Sequence, residues 1–203
     1  AWYVPKSDLS VGPRQEGLAF GKAPSRGNAP RQKPVSGFLG RGLVNSYDSG
    51  GDAARGTLTS PEFTVERRYV HFLVGGGSHA GKTCVELLVD GRVALSATGT
   101  GDETLEWATF DLANLLGKKA RIRIADRATG TWGHVLADHV IMSDEPIASL
   151  RAGEKNVVAS DPARVTLLAD FEGGDYGDWT ADNMAAESGS VCTSEECVAC
   201  TNP

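Results

Sequence analysis

The 203-residue chain contains no apolar run of about 18 residues, the length that a membrane-crossing helix needs, so no transmembrane span is expected. It shows no targeting pattern at its start. It opens on Ala1 rather than Met, which leaves two readings, a mature protein whose leader has been removed or a fragment. The first places it outside the cell or on the cell surface. Lys and Arg number 20 against 26 Asp and Glu, for a net charge of −6. Phosphate binding needs clustered cations, so nucleic acid is not an expected partner. The nearest candidates, Arg67-Arg68 and Lys118-Lys119 with Arg121 and Arg123, read as solvated strand faces.

The four histidines, His71, His79, His134 and His139, are widely spaced and form no metal motif. No Ser-His-Asp or Cys-His arrangement is evident, and no carboxylate pair stands in a glycosidase context. A non-catalytic protein is expected. "GGGSHAGKT" satisfies the bare phosphate-loop pattern, but the "CVELLVDGRV" that follows predicts a hairpin where that motif needs a helix, so nucleotide binding is not expected.

What is abundant is glycine, 25 residues, which favours a turn-rich β architecture. Residues 1–40 are dense in Gly, Pro, Ser and Asn and read as an irregular segment packing on the domain. From 41 to 142 short β-rich runs recur at steps of about 8–14 residues, the spacing of an all-β sandwich. In "KKARIRIAD", Ala120, Ile122 and Ile124 share one face and Arg121 and Arg123 the other. In "YVHFLV" Val70, Phe72 and Val74 alternate with Tyr69, His71 and Leu73. "CVELLVD" splits Val85, Leu87 and Val89 from Cys84, Glu86 and Leu88. "DGR" at 90–92 is a hairpin signal. "DLANLLGKK" predicts one helical turn ended by Gly117. Residues 143–166 form a polar connector, 167–179 a further strand, and 180–203 a Cys-rich tail.

Cys84 lies within a strand and reads as a buried thiol. Cys192, Cys197 and Cys200 are spaced C-x4-C-x2-C, too few for a closed zinc site without a fourth ligand. Outside the cell two of them would pair and leave one for a link to another chain.

Sugar rings pack on aromatic faces, and the candidates are Tyr47, Trp107, Trp132 and Trp179. Trp132, in a Gly-rich loop beside His134, is the best placed. Asp48 and Asp52 in "NSYDSGGD", with Arg55, add groups able to bind hydroxyls. Trp132, His134, Tyr47, Asp48 and Asp52 are therefore the candidate glycan-binding set.

The stretch "SGFLGRGLVNSYDSGGDAARGTLTSPEFTVERRYVHFLVGGGSHAGKTCVELLVDGRVALSATG", with "LEWATFDLANLLGKKARIRIADRATGTWGHVLADHVIMSDEP" downstream, resembles the non-catalytic β-sandwich module that accompanies glycoside hydrolase family 32 enzymes. Those enzymes act on fructans such as levan, inulin and sucrose. The resemblance covers about half the chain and implies a jelly-roll sandwich of the galactose-binding-like type. It does not extend to the family's propeller or its "WMNDPNG"-type nucleophile motif, and "EEC" at 195–197 lies in the tail with no propeller around it.

In such modules a strand like "DFEGDDYGDW" comes first and an "AFG" segment follows. Here "AFGKAPSRG" stands at 19–27 and "DFEGGDYGDW" at 170–179, so the module reads as circularly permuted. Leu168, Phe171, Tyr176 and Trp179 would carry the displaced strand. It can complete its own sandwich, cross to a neighbouring copy and build a head-to-tail filament, or open a second, truncated module. In related jelly rolls a structural calcium sits where a Glu of the first strand meets an Asp of the last. The resemblance carries that role to Glu172 and Asp138, with Asp170 beside them. The expectation is a secreted structural subunit that polymerises through this strand, with a fructan-binding module as the alternative.

Overall fold

The computed structural model describes residues 18–151 and 163–184. Two antiparallel sheets face each other across one core, the all-β sandwich that the strand spacing predicts.

In the first sheet β4 (Tyr69–Gly76) is central, with β7 (Asp102–Asp111) on one side and β9 (Val135–Ser143) on the other. The far edge of β9 is shared. The two-residue β1 (Val44–Asn45) lies along Leu136 and Ala137, and β10 (Val165–Ala169) runs along Val140 to Ser143. In the second sheet β5 (Thr83–Val89) lies between β6 (Arg92–Thr98) and β8 (Lys119–Asp126). Beyond β8 come β2 (Arg55–Thr59) and the short β3 (Phe63–Thr64), and β11 (Thr180–Met184) closes the row outside β2.

The alternating side chains sort as their period requires. Ala120, Ile122 and Ile124 of β8 enter the core with Val85 and Leu87 of β5, facing Val70, Phe72 and Val74 of β4. Both faces of β4 and β9 are buried. The outer face carries Leu73 and Leu136, covered by Val35 and Leu43 of the irregular segment. Further along, Ile141 is covered by Leu150 of the short helix α2 (Ile147–Arg151). This second cover explains why "YVHFLV" is apolar throughout. On the outer face of β5, Glu86 is buried but doubly paired, to Arg123 Nε at 2.6 Å and to Arg127 Nη1 at 3.0 Å. Cys84 is buried beside it, as expected.

The turns follow their residues. Asp90 and Gly91, with φ of 52° and 72°, make the β5–β6 hairpin. The helical turn expected near 113 is a 3-10 turn, Ala113–Leu115, and Gly117 with φ 77° follows it. The 76–83 loop leads into a strand, which removes the structural setting of a phosphate loop.

The C-terminal segment differs from a single strand over 167–179. β10 in the first sheet takes in residues 167–169, β11 in the second begins at Thr180, and 170–179 is the bend that carries the chain between them. Phe171 at φ 53° and Gly177 at φ 58° break the extended path. Leu168 falls at a bulge between Leu167 and Ala169. Phe171 is buried in the core, with Trp179 edge-on at 5.3 Å and Tyr176 at 6.3 Å. All of these contacts lie within the one chain. Cys192, Cys197 and Cys200 lie outside the described residues, so the disulfide expectation is not addressed by the structure.

Candidate functional site

One end of the sandwich gathers most of the predicted glycan-binding set. Between β1 and β2 the chain makes a single helical turn, α1 (Tyr47–Gly50), and then a 3-10 turn, Gly51–Ala53. These carry Tyr47, Asp48 and Asp52. Opposite them, the loop before β9 carries Trp132 and His134. The loop is pressed against the 3-10 turn. The Gly130 amide donates to the Asp52 carbonyl at 3.1 Å, and a Cβ on Gly133 would meet that carbonyl oxygen at 2.6 Å. Only glycine allows this approach. Trp132 itself has φ 60°, a conformation that costs a bulky residue energy and so reports tight local constraint.

His134 is the hub and is 2% exposed. Its Nδ1 lies 2.7 Å from Asp52 Oδ1 and its Nε2 lies 3.2 Å from Glu103 Oε2. Trp132 stacks on the imidazole at 5.6 Å with 30° between planes, and Tyr47 meets it edge-on at 5.1 Å. Lys33 Nζ lies 5.4 Å from the centre of the Trp132 ring, within cation–π range. A chain of amides supports Glu103. Gln32 Nε2 donates to Glu103 Oε2 at 3.0 Å, and Asn45 Nδ2 donates to Gln32 Oε1 at 2.8 Å. Burial works against charge on His134, but the hydrogen bonds to Glu103 and Asp52 prevail and hold its pKa above the usual imidazole value.

Next to this hub lies a buried carboxylate. Asp126, the last residue of β8, is fully buried, and neither of its oxygens has a hydrogen-bond partner. The nearby Ser46 hydroxyl is engaged instead with Val135, accepting from its amide at 2.9 Å and lying 3.3 Å from its carbonyl. Burial pushes the Asp126 carboxyl up to about 7 and the Asp52 charge adds to the rise, against the opposing pull of the Ser46 hydroxyl, the Ala128 amide and His134 close by.

Of the predicted set, Trp132, His134, Tyr47 and Asp52 converge. Asp48 stands on the same turn, but its charge acts on the Tyr176 hydroxyl, whose pKa is raised first by burial and then by Asp48. Arg55 opens β2, across from Met184. Trp107 is half-buried and packs against the apolar clusters of the outer face. His71 is buried and neutral. Its ring nitrogens lie 2.8 Å from Thr109 Oγ1 and 3.0 Å from the Glu145 carbonyl, and burial lowers its pKa. His79 bonds the Thr131 carbonyl at 3.2 Å.

Gln32, Lys33, Asn45, Glu103 and Asp126 were not among the expected site residues. Two of them left a signal. Asp126 has the same parity as Ile122 and Ile124 of the core, and Glu103 the same parity as Leu105 of the covered outer face, so period 2 puts each on a buried side of its strand.

The expected calcium residues lie together at another place. Asp138 is fully buried. Its Oδ2 accepts the Leu39 amide at 2.8 Å, and its Oδ1 has no partner. Burial raises its carboxyl to about 7, with a contribution from the charges of Glu172 and Asp170. Glu172 Oε1 accepts the amides of Arg41 and Gly42, both at 2.8 Å. Some desolvation opposes them, but these amides and Arg26 hold the Glu172 carboxyl below the usual range. Asp170 Oδ1 caps the Glu172 amide at 3.1 Å. Among the described residues, no three His, Cys, Asp or Glu side chains are grouped to hold a metal ion. No helix among them is long and apolar enough to cross a membrane.

No family model matches the chain. A stretch of 122 residues, 60% of the chain, is 38% identical to a protein of Aspergillus rugulosus that carries the provisional name glycosyl hydrolase ecdE. The match takes in 17% of that protein, so the chain spans a small part of its relative's length. The chain is therefore a β-sandwich related to a protein named for glycoside hydrolysis.

Proposed function

We propose that this chain is a non-catalytic β-sandwich module that binds a glycan, of the kind that accompanies fructan-degrading enzymes, and that it acts outside the cell or at its surface. The observation that carries the reading is the convergence of Trp132, Tyr47, Asp52 and Lys33 around His134 at one end of the sandwich. An aromatic face with charged groups at its rim is the chemistry that sugar rings engage. The module is read as non-catalytic because the family resemblance does not extend to the hydrolase's propeller or its nucleophile motif. A relative named for glycoside hydrolysis supports the glycan reading.

The test is titration of the full chain with soluble levan and with inulin, followed by calorimetry, for the native chain and the Trp132→Ala variant. Binding that drops at least tenfold in the variant supports the proposal. No binding of either polymer, or binding indifferent to Trp132, overturns it.

A second reading is self-assembly, with the C-terminal strand donated to a neighbour. It is favoured by the position of β10 and β11 at sheet edges, joined by a largely exposed Gly-rich bend, with Phe171 as a plug. A neighbour's strands could make the same hydrogen bonds. Leu168, Phe171, Tyr176 and Trp179 would then anchor the subunit contact, and negative-stain microscopy would reveal filaments.

A structural calcium belongs to the family resemblance. The orphan Oδ1 of Asp138 is the oxygen that would take it, with Asp170 and Glu172 as neighbours. Its role would be to hold the C-terminal segment against the 39–42 loop.

A further inference from the structure

We infer that His134 is the positioning residue of the glycan platform, and that its doubly protonated ring, seated between Asp52 and Glu103, is the ion that holds the Trp132 loop in place. The inference deepens the glycan reading and rests on it for its functional consequence, though not for its geometry.

A neutral imidazole has one N–H donor and one bare acceptor nitrogen. Both nitrogens of His134 face carboxylate oxygens, at 2.7 Å and 3.2 Å. A neutral ring can satisfy only one of them and sets a lone pair against the other. The imidazolium satisfies both. Asp126 at the end of β8 interacts with the ring as well, and once ionised it adds to the field that favours this charge. The remaining charged groups at this end do not replace it. Lys33 reaches Trp132 rather than the ring, and its charge acts on Asp102.

The ring ties three separate elements together. Asp52 belongs to the 3-10 turn, Glu103 to β7, and His134 to the loop before β9. Trp132 lies two residues away, stacked on the same ring in a strained backbone conformation. Such a conformation persists only where its surroundings over-determine it. Removing the proton unbalances Asp52 and Glu103, loosens the tie between the loop and the turn, and frees Trp132 from its stacking partner. Because the ring's pKa is raised in the folded chain, the latch is closed below that raised value. It opens as pH rises through that raised value. Glycan binding is expected to fall over the same interval.

The experiment follows the full chain from pH 5 to 10 with three readouts. These are the imidazole 15N shifts of His134, Trp132 emission identified by subtraction of a Trp132→Phe variant, and affinity for soluble levan. The expected result is a His134 midpoint above the ordinary imidazole value of about 6.5, with Trp132 emission changing at the same midpoint. Glu103→Gln removes one of the two carboxylate charges that favour the proton and leaves an oxygen for the Gln32 amide. That variant is expected to lower the midpoint by about one pH unit, with the change in Trp132 emission moving to the lowered midpoint. A ring that titrates at or below about 6.5 overturns the inference. So does Trp132 emission that stays flat while the ring titrates. If ring and Trp132 titrate together but levan binds at no pH, the positioning role stands and the glycan reading falls.

Discussion

The side chain of Asn183 engages both backbone groups of Phe20. Its Nδ2 donates to the Phe20 carbonyl and its Oδ1 accepts the Phe20 amide, each at 2.8 Å and across 163 positions of sequence. A side-chain amide here does what a neighbouring strand would do, and it joins the two ends of the described chain. Each such bond contributes about 1 kcal/mol net. Asn183→Ala is expected to lower unfolding stability by about 1–2 kcal/mol, more where the freed groups stay buried. Chemical denaturation checks it. If β11 is exchanged between copies, the midpoint will also depend on protein concentration.

Phe171 tests the core role of the bend. It is 5% exposed and flanked by Trp179 and Tyr176. Phe171→Ala removes a buried ring and leaves a cavity, at a cost of about 3–4 kcal/mol. Deleting residues 163–203 removes the plug and both edge strands, and is expected to leave an aggregation-prone chain. A soluble truncation with a cooperative melt would show that the bend is dispensable.

Asp126 predicts a pH slope. Its carboxyl titrates near 7 in the fold but at about 3.9 in an unfolded chain. Between those values the folded state holds a proton that the unfolded state has lost, so stability falls as pH rises from about 4 to 7 and is level above. Asp126→Asn is neutral throughout. It is expected to flatten that slope and to exceed the native chain at pH 8 by roughly 2–4 kcal/mol. Thermal melts at pH 5 and pH 8 decide it. Equal gains at both pH values would mean that the carboxyl is not the cause.

Calcium predicts a stability change that Asp138 controls. If the ion binds there, calcium at a hundredfold excess over its Kd raises unfolding stability by about 2.7 kcal/mol. In Asp138→Asn the gain is expected to shrink or vanish. An unchanged melt with calcium and with a chelator would remove the ion from the account.

The sandwich was legible because its strands alternate. "KARIRIAD" places each residue on its observed face, and "DG" marks the hairpin it makes. The second cover over β4 was not legible, since burial of both faces erases alternation in "YVHFLV". Four site residues were found from aromatic and Gly-rich loop chemistry alone. Their partners were missed for two reasons. Gln32 and Lys33 sit in a segment with no period to read, and Glu103 meets His134 only through pairing across the sheet. The 170–179 bend was read as a strand because a short apolar run, Leu167 to Ala169, leads into it and because the resembling modules have their first strand there. The left-handed turn at Phe171 has no signature in an aromatic side chain.

Leu18 and Met184 both pair with Arg55, so the two ends of the described chain meet at one corner of the second sheet. A pulling force applied through those ends would act on that corner alone. It would peel β11 from β2 one bond at a time rather than shear the strands along their length. The domain is thus soft to tension along its own chain, while the core between the sheets bears little of the load until that edge has gone.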